Sequence, residues 1–272
     1  MGTSASVSGA GHGVPLVPSW VDDIDSSLPT NMPGANTSPT KVPTSPKNRL
    51  GSTRLQLGKF AKTGDQSRLR SAVGNYVRSG RGGSSTATKR STGAAKRGAA
   101  LVGIIGGSPA FKEVREGIRQ AFSTSGNSEL LIAAIASAAS PNDGTLDSEI
   151  GLRAASEAMQ YVLVRFPEAD LFDLDATERE VLLERYLAFD CYGLFMSENG
   201  KHIQSKVDLD THMDRVTQIK NFFCEVFRQA NQSRREQSRP TLGQATDADV
   251  ARMCKEVIRE AYNIFEGFLD ED

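Results

Sequence analysis

The chain has 272 residues, of which 38% are hydrophobic, and it carries 32 Lys and Arg against 33 Asp and Glu. This length is enough for one or two domains with a buried core. No run of about 18 apolar residues occurs, so we expect no membrane-spanning helix, and the first residues predict no signal peptide. Three scattered cysteines, Cys191, Cys224 and Cys254, match no zinc or redox spacing and favour buried thiols in a reducing cytoplasm.

The near-neutral total charge hides three blocks of opposite sign. Residues 1–40 have a net charge of −3, residues 41–98 of +13 and residues 99–272 of −11. Such asymmetry is typical of an interaction segment attached to an ordinary domain. We therefore predict a disordered tail over 1–48, a basic arm with short helices over 49–109 and an α-helical domain over 110–272.

The predicted tail contains seven of the eleven prolines, and Gly, Ser and Thr fill most of the remainder. Such a composition cannot bury enough apolar area to offset chain entropy. One apolar cluster between prolines, carried by Pro15, Leu16, Pro18 and Trp20, suits an extended peptide that docks into a partner's groove. The competing interpretation is that this peptide packs back onto its own domain, and the sequence favours neither.

Helical periodicity begins in the basic arm. The spacing of Leu69, Val73 and Val77 predicts a short amphipathic helix over 67–79, which a glycine-rich stretch ends. A second helix is expected over 85–105, and the Gly-Gly-Ser-Pro sequence that follows should stop it.

From residue 110 onward almost every segment has a helical pattern and no alternating strand pattern of useful length occurs. Asp175 and Glu178 have the spacing of a capping box, and Thr246 with Asp249 is a second capping pair. The predicted helices cover an apolar stripe from Phe111 to Phe122, then Leu130 to Ala139, Thr145 or Leu146 to Phe166, Asp175 to Asn199-Gly200, Leu209 to Gln237, and a last helix after Thr246. The sequence predicts an all-α bundle of about six main helices preceded by the tail and the basic, partly helical arm.

The sequence contains no recognisable catalytic, phosphate-binding or metal-binding motif. The glycine-rich residues 103–108 lack the Lys-Ser/Thr of a phosphate-binding loop, and Asp208, Asp210 and Asp214 lack the spacing of a calcium loop. The histidines are scattered and no Ser or Cys lies in a nucleophile elbow. We expect that the chain is not an enzyme and that it needs no metal or cofactor.

The basic arm has two interpretations. Its lysines and arginines suit sequence-independent binding to nucleic-acid phosphates, with Phe60 and Tyr76 as sparse stacking partners. They also suit contact with an acidic partner or with the chain's own acidic domain. We favour this second interpretation over nucleic-acid binding. The candidate contacts are Arg68, Arg70, Arg78, Arg81, Lys89 and Arg90.

The start of the chain offers one reactive group. Residues 1–6 fit the loose pattern for myristoylation, but a second membrane signal is missing. Removal of Met1 would instead expose the amine of Gly2, and an α-amino group has a pKa near about 8 where a lysine has about 10.4. This amine is therefore the best nitrogen nucleophile on the chain, and the slim residues Thr3 and Ser4 beside it would fit a narrow channel.

Several stretches together resemble a known family. They are Met-Gly-Thr-Ser-Ala-Ser at the start, Pro-Leu-Val-Pro-Ser-Trp over 15–20, Arg54 to Ala61, Leu69 to Val73, Tyr76-Val77, Gly82-Gly83, the Arg, Gly and Ala stretch over 89–99, and Asp143 to Asp147 before a helix. In these the chain resembles the QatB component of the four-gene Qat anti-phage defence systems of bacteria.

The resemblance implies a non-catalytic protein that works with an ATPase (QatA), a QueC-like enzyme (QatC) and a TatD-like nuclease (QatD). It implies further that the QueC-like partner joins a deazaguanine to an N-terminal glycine. Carried onto this chain, Gly2 is the acceptor, and the peptide containing Thr3, Ser4, Pro15, Leu16, Pro18 and Trp20 contacts the partner. The alternative function is a nucleic-acid-binding accessory that uses residues 41–98.

Overall fold

The computed structural model describes residues 16–17, 44 and 47–270. This part of the chain contains ten α-helices and no β-strand, which confirms the predicted all-α class. The predicted disorder of the tail lies outside the described residues, apart from the few positions just given. The helices are α1 Gly51–Thr63, α2 Gln66–Asn75, α3 Ser84–Arg90, α4 Thr92–Gly106, α5 Lys112–Ser125, α6 Ser128–Ala139, α7 Leu146–Arg165, α8 Ala176–Gln204, α9 Leu209–Glu236 and α10 Val250–Gly267.

The chain divides into two compact units that each combine distant stretches of sequence. The first unit comprises Met1–Thr92, Glu198–His212 and Tyr262–Asp272, and the second comprises Gly93–Ser197 and Met213–Ala261. Helices α8, α9 and α10 therefore contribute residues to both units. The three-part division along the sequence stays a prediction.

The first unit is built on an apolar core from α1 and α2, which pack against each other. Gly64 ends α1 in a left-handed conformation with φ of 73°, and its N–H donates to the carbonyl of Phe60. Asp65 then begins α2 by accepting a hydrogen bond from the Ser67 N–H at 2.9 Å. The fully buried side chains of this core include Leu57, Phe60, Leu69, Val73, Val77, Ile203 and Phe265.

The core of the second unit contains the apolar faces of its helices and two buried arginine ion pairs. Arg97 forms a 3.0 Å ion pair with the fully buried Asp190. Arg234, 2% exposed, lies 2.8 Å from Glu256 and also contacts Glu260. Removal of one partner from such a pair leaves an uncompensated buried charge, so these arginines are structural.

Several predicted boundaries are confirmed by the caps that define them. Thr145 caps α7 by accepting from the Ser148 N–H, and the α8 capping box forms as predicted, with Asp175 accepting from Glu178 and Glu178 accepting from Asp175. Helix α9 ends one residue before the predicted position.

Two expectations in the helix assignment were wrong, and one helix was missed. Helix α8 continues past Asn199-Gly200 to Gln204, because burial of Ile203 outweighs the roughly 1 kcal/mol cost of a helical glycine. The helix predicted over 85–105 is two helices, and between them the Ser91 hydroxyl lies 2.9 Å from that of Tyr262. Helix α1 was not predicted, because its few apolar residues are separated by glycine and basic residues.

The apolar stripe predicted for α5 forms, but it stays at the surface of the second unit. None of the α5 side chains from Lys112 to Thr124 is buried, and Val114 is 44% exposed. Leu130 at the start of α6 is 59% exposed, whereas Leu131, Ile132 and Ile135 are buried as predicted.

The three cysteines are free thiols and all are buried, as predicted. Burial raises the pKa of the Cys254 thiol to about 12, so it stays protonated and unreactive at neutral pH. Within the described part of the chain, no helix has the length and apolarity to cross a bilayer and no cluster of metal-ligating side chains occurs.

Glu184 is the titratable group of the second unit whose charge state is most clearly altered. Burial raises its pKa from 4.5 to about 7, and the neighbouring Glu180 adds to the shift, whereas a hydrogen bond from the Asn231 amide opposes it. The Asn231 amide nitrogen lies 2.6 Å from Glu184 and 2.8 Å from Glu180. The folded protein therefore binds a proton here more tightly than the unfolded chain does.

We expect Glu184→Gln to stabilise the protein at pH 8. Because the folded pKa is raised, ionisation destabilises the fold progressively as pH rises from 4.5 to about 7, and the full effect is present above that window. Glutamine keeps the oxygen that accepts from Asn231 but carries no charge, so the gain should be on the order of 2 kcal/mol at pH 8 and vanish at pH 4.5.

The measurement is thermal unfolding of both proteins at the two pH values. The control is Glu225→Gln, whose carboxylate is exposed and held ionised by Arg228, and which should not raise the unfolding temperature at pH 8. A pH-independent effect of Glu184→Gln would contradict the assignment.

Candidate functional site

The apolar pair Leu16–Val17 belongs to the core of the first unit. Leu16 is 3% exposed and Val17 is 6% exposed, so this chain's own residues cover both side chains. For Leu16 the structure therefore shows the packing onto its own unit that the sequence left open, and a partner would reach it only after its release. The other predicted peptide contacts, Pro15, Pro18 and Trp20, lie outside the described residues.

Gly82 provides the surface on which Leu16 rests. The Leu16 Cδ1 atom lies 2.8 Å from the point that a Cβ on residue 82 would occupy, and the Thr86 Cγ2 atom lies 3.2 Å from it. Gly82 also has φ of +85°, which side chains other than glycine rarely adopt. The positive φ favours glycine here, and a Cβ at this position would displace the Leu16 side chain from its present place. We call Leu16, Val17 and Gly82 the anchor.

A π-helical turn, Tyr76–Gly80, leads into the anchor. Such turns are rare and occur frequently at functional sites. The Arg81 N–H closes the turn on the Tyr76 carbonyl at 2.8 Å. The Tyr76 ring is 2% exposed, and the Arg81 guanidinium carbon lies 5.9 Å from its centroid.

A buried ion pair completes this part of the first unit. The Arg49 Nη2 atom lies 2.7 Å from Glu198 Oε1, with both side chains at most 10% exposed. Arg49 also donates to the Gly80 carbonyl at the end of the π-helical turn, and Arg54 donates to the Glu198 backbone carbonyl at 3.1 Å. Through Arg49, two residues before α1, and Arg54 within it, these bonds connect the start of α1 to α8.

Arg90 at the end of α3 carries the clearest electrostatic signature. Burial lowers its pKa to about 10, the positive charges of Arg81 and Arg49 add to this, and Tyr76 and Glu198 oppose it. Its Nη1 atom is enclosed and has no hydrogen-bond partner among the described residues. Burial and the Glu198 charge raise the pKa of Tyr76, so the phenol stays neutral. We call Arg49, Arg81 and Arg90, with Glu198 and Tyr76, the arginine cluster.

The remaining candidate basic residues lie nearer the surface of the first unit. Arg78 bridges Asp270 at 2.9 Å and Glu266 at 3.5 Å. Arg70 lies over the Phe268 ring at 5.5 Å, and Arg68 is 3.8 Å from Asp65. Lys89 is half-buried. Of the six basic candidates, Arg81 and Arg90 are therefore close enough for the charge of one to lower the pKa of the other.

Sequence reasoning missed Arg49 and Glu198 because no local pattern pairs residues 149 positions apart. The charge blocks did point to contacts between the basic arm and the acidic remainder of the chain, of which this pair and the Arg78 bridges are instances. The proposed modification site, Gly2 with Thr3 and Ser4, lies outside the described residues.

Comparison with known families now adds an identity. A family model described as "Qat anti-phage system associated protein QatB" matches residues 82–265. The chain belongs to the QatB family. It is therefore a component of the Qat anti-phage defence system, and other Qat components are its partners. No curated protein and no solved structure matches the chain.

The QatB match includes part of the site described above. It begins at Gly82 and contains Arg90 and Glu198, whereas Leu16 and Arg49 precede it. The matched region thus contains Gly82 of the anchor, and Arg90 and Glu198 of the arginine cluster.

We expect Gly82→Ala to destabilise the protein more than Gly83→Ala. Both glycines have positive φ, +85° and +87°, so either alanine adds strain of about 1–2 kcal/mol. At position 82 the new methyl group also meets Leu16 at 2.8 Å, whereas at position 83 the nearest atom, on Glu266, is 3.9 Å away. The collision should add about 1–3 kcal/mol.

Thermal unfolding of the two variants measures this difference. In a Leu16→Ala background the collision with Leu16 is relieved and only the Thr86 contact at 3.2 Å remains, so the extra cost of Gly82→Ala over Gly83→Ala should shrink. Equal effects of the two substitutions with Leu16 present would show that Leu16 does not rest on Gly82.

Proposed function

We propose that this protein is the non-catalytic, modified component of its Qat system, and that the amine of Gly2 is the substrate of a QueC-like partner enzyme. The observation that carries the proposal is membership of the QatB family. Two further features support it, which are the reactivity of a terminal glycine amine and the anchor that ties the tail to the first unit.

The amine argument is chemical. To form a bond to an electrophilic carbon, an amine must donate its lone pair and then lose a proton. At neutral pH roughly a tenth of a terminal α-amine is uncharged, against well under 1% of a lysine amine. Gly2 has no side chain to hinder attack, and Thr3 and Ser4 add little bulk behind it. A partner that modifies this nitrogen therefore needs only to bind a narrow, extended peptide.

The anchor defines how far that peptide extends. With Leu16 held on Gly82, the tether to the amine is residues 2–15, which as a flexible chain has a root-mean-square length on the order of 20 Å. Fully extended it spans at most about 50 Å. The terminus can therefore enter a partner's active site while the helical units stay outside it.

The partners that follow from this proposal are the QueC-like enzyme (QatC), and with it the Qat ATPase (QatA) and the TatD-like nuclease (QatD). The QueC-like enzyme would contact Thr3 and Ser4 during modification. Contact with Pro15, Pro18 and Trp20 would place it close to the anchored Leu16.

We expect the N-terminal peptide to gain mass when the protein is produced together with the QueC-like enzyme. Gly2→Val should abolish the gain, because a branched side chain crowds the attacking nitrogen, and it should also abolish phage defence. Intact-mass and peptide-mass measurement provide the readout. The matched control is Gly9→Val, which makes the same change further along the tail and should keep the modification.

An unchanged N-terminal mass in the presence of the active partner would contradict the proposal. So would full modification of Gly2→Val.

The alternative function is a nucleic-acid-binding accessory that uses residues 41–98. Fewer of its basic residues can contact phosphates than the net charge of this segment implies. Arg81 is 4% exposed and the Arg90 Nη1 atom is enclosed. Arg78 faces two carboxylates. This leaves Arg68, Arg70 and Lys89 among the six candidates for contact with phosphates.

We expect no salt-dependent affinity for DNA beyond that of a few surface charges. The measurement is a titration of duplex and single-stranded DNA from about 50 to 200 mM salt, where each phosphate contact adds about 0.9 to the slope of log K against log salt. A slope steeper than about −4 that Arg70→Gln reduces by about one would favour the alternative function.

A further inference from the structure

The outer face of α1 carries one leucine and two lysines. Its inner face holds Leu57 and Phe60, which are fully buried in the core of the first unit. Leu55, Lys59 and Lys62 lie on the opposite face, because residues three and four positions apart are neighbours on a helix. All three side chains are exposed, and 61% of Leu55 is open to solvent. An apolar group is therefore left in water beside charged neighbours.

The Gly58 position brings a third lysine to this face. The His202 Nε2 atom, in the last turn of α8, lies 3.4 Å from the point that a Cβ on residue 58 would occupy, and the Lys206 Cε atom lies 4.0 Å from it. Position 58 is one helical turn from Lys62 and one turn from Leu55. Lys206 is exposed, so its charge adds to those of the α1 lysines.

No carboxylate among the described residues forms an ion pair with these three lysines. The carboxylates closest to them in sequence, Asp65 and Asp208, accept hydrogen bonds from backbone N–H groups at the starts of α2 and α9, each at 2.9 Å. Burial lowers the pKa of His202, and the positive charges of Lys206 and Arg54 lower it further, with no carboxylate among the groups that oppose the shift. The surface around position 58 is therefore positive.

We propose that Leu55, Lys59, Lys62 and Lys206 form a docking surface for a partner protein that presents an acidic, amphipathic segment. We call these four residues the basic ridge. Carboxylates of the partner pair with the lysines, and its apolar side chains cover Leu55, which gives the apolar centre and charged rim that protein interfaces have. Complementary charge of this kind accelerates association and excludes partners of the wrong sign.

The composition of the basic ridge favours a protein over a nucleic acid. Phosphate groups would use the lysines and leave Leu55 in water, whereas an apolar partner surface removes it from water. Single-stranded nucleic acid also needs exposed aromatic rings for stacking, but Phe60 on the same helix is fully buried and Tyr76 is 2% exposed. The chain belongs to the QatB family, so the partners to test are the other Qat proteins.

The affinity of the full chain for purified QatA, QatC and QatD, measured one at a time by biolayer interferometry at about 50 and 300 mM salt, tests the docking surface. Lys59→Glu combined with Lys62→Glu should weaken one of these complexes at least about tenfold at the lower salt concentration, because two attractions become repulsions. The same variant should reduce the salt dependence of that affinity. Leu55→Ser should weaken the same complex at least about fivefold.

Each change has a control of the same chemistry. Leu130→Ser replaces a leucine that is 59% exposed, close to the 61% of Leu55. Lys96→Glu combined with Lys112→Glu reverses two exposed lysines of the second unit. Both controls should change the affinity less than about twofold. Equal effects of the test and control variants overturn the proposal, and so does a wild-type chain that binds none of the three proteins.

Carbodiimide crosslinking of the bound complex tests the chemistry of the partner directly. The reagent joins a lysine amine to a carboxylate in contact with it as an amide, and the water lost hydrates the carbodiimide. Peptide mass spectrometry should find Lys59, Lys62 or Lys206 joined to an Asp or Glu of the partner. Crosslinks confined to lysines outside the basic ridge overturn the proposal.

A parallel titration with duplex and single-stranded DNA covers the competing ligand. If Lys59→Glu combined with Lys62→Glu abolishes DNA binding and leaves the affinity for every Qat protein unchanged, the basic ridge binds nucleic acid and the proposal is overturned. Retained DNA affinity with a weakened Qat complex supports it.

Discussion

The first unit depends on the buried ion pair between Arg49 and Glu198. It joins the start of the basic arm to a residue in the middle of the acidic part of the sequence, with 2.7 Å between the charged atoms and little exposure of either side chain. A buried pair of this kind adds little net stability, but loss of one partner is typically worth 3–5 kcal/mol. It acts as a constraint on geometry, because Arg49 also holds the Gly80 carbonyl and so fixes where the π-helical turn ends.

That constraint connects the two features of functional interest. The π-helical turn that Arg49 fixes is followed at once by Arg81 of the arginine cluster and by Gly82 of the anchor. A shift of the π-helical turn would move Arg81 together with Gly82, on which Leu16 packs. The position of Leu16 and the charges beside it therefore both depend on the backbone conformation of residues 76–82. The QatB family match begins at the last of these residues, Gly82.

Much of the helical architecture could be predicted from local sequence. Thr145, Asp175 and Asp208 begin helices by accepting hydrogen bonds from residues three positions later. Such capping pairs can be recognised from the sequence alone. Leu16, Arg49 and Glu198 were not recognised as neighbours of the π-helical turn, because their roles come from contacts over long sequence separations. Helix α1 was missed for a related reason, since Leu57 and Phe60 become a core only against α2. Local chemistry sets the caps, and the tertiary fold sets which charges and apolar groups are buried.

The anchor shortens the distance over which the tail can carry the Gly2 amine to a modifying enzyme. A free tail of about 48 residues would carry the amine over a root-mean-square distance on the order of 35–40 Å, whereas a chain held at residue 16 carries it about half as far. A shorter tether concentrates the amine near the first unit and raises its effective concentration for an enzyme docked there. It equally excludes an enzyme whose active site is deeper than the tether is long. Docking of the modifying partner close to the first unit is therefore a geometric requirement of the anchored state, and an enzyme bound elsewhere would have to release Leu16 first.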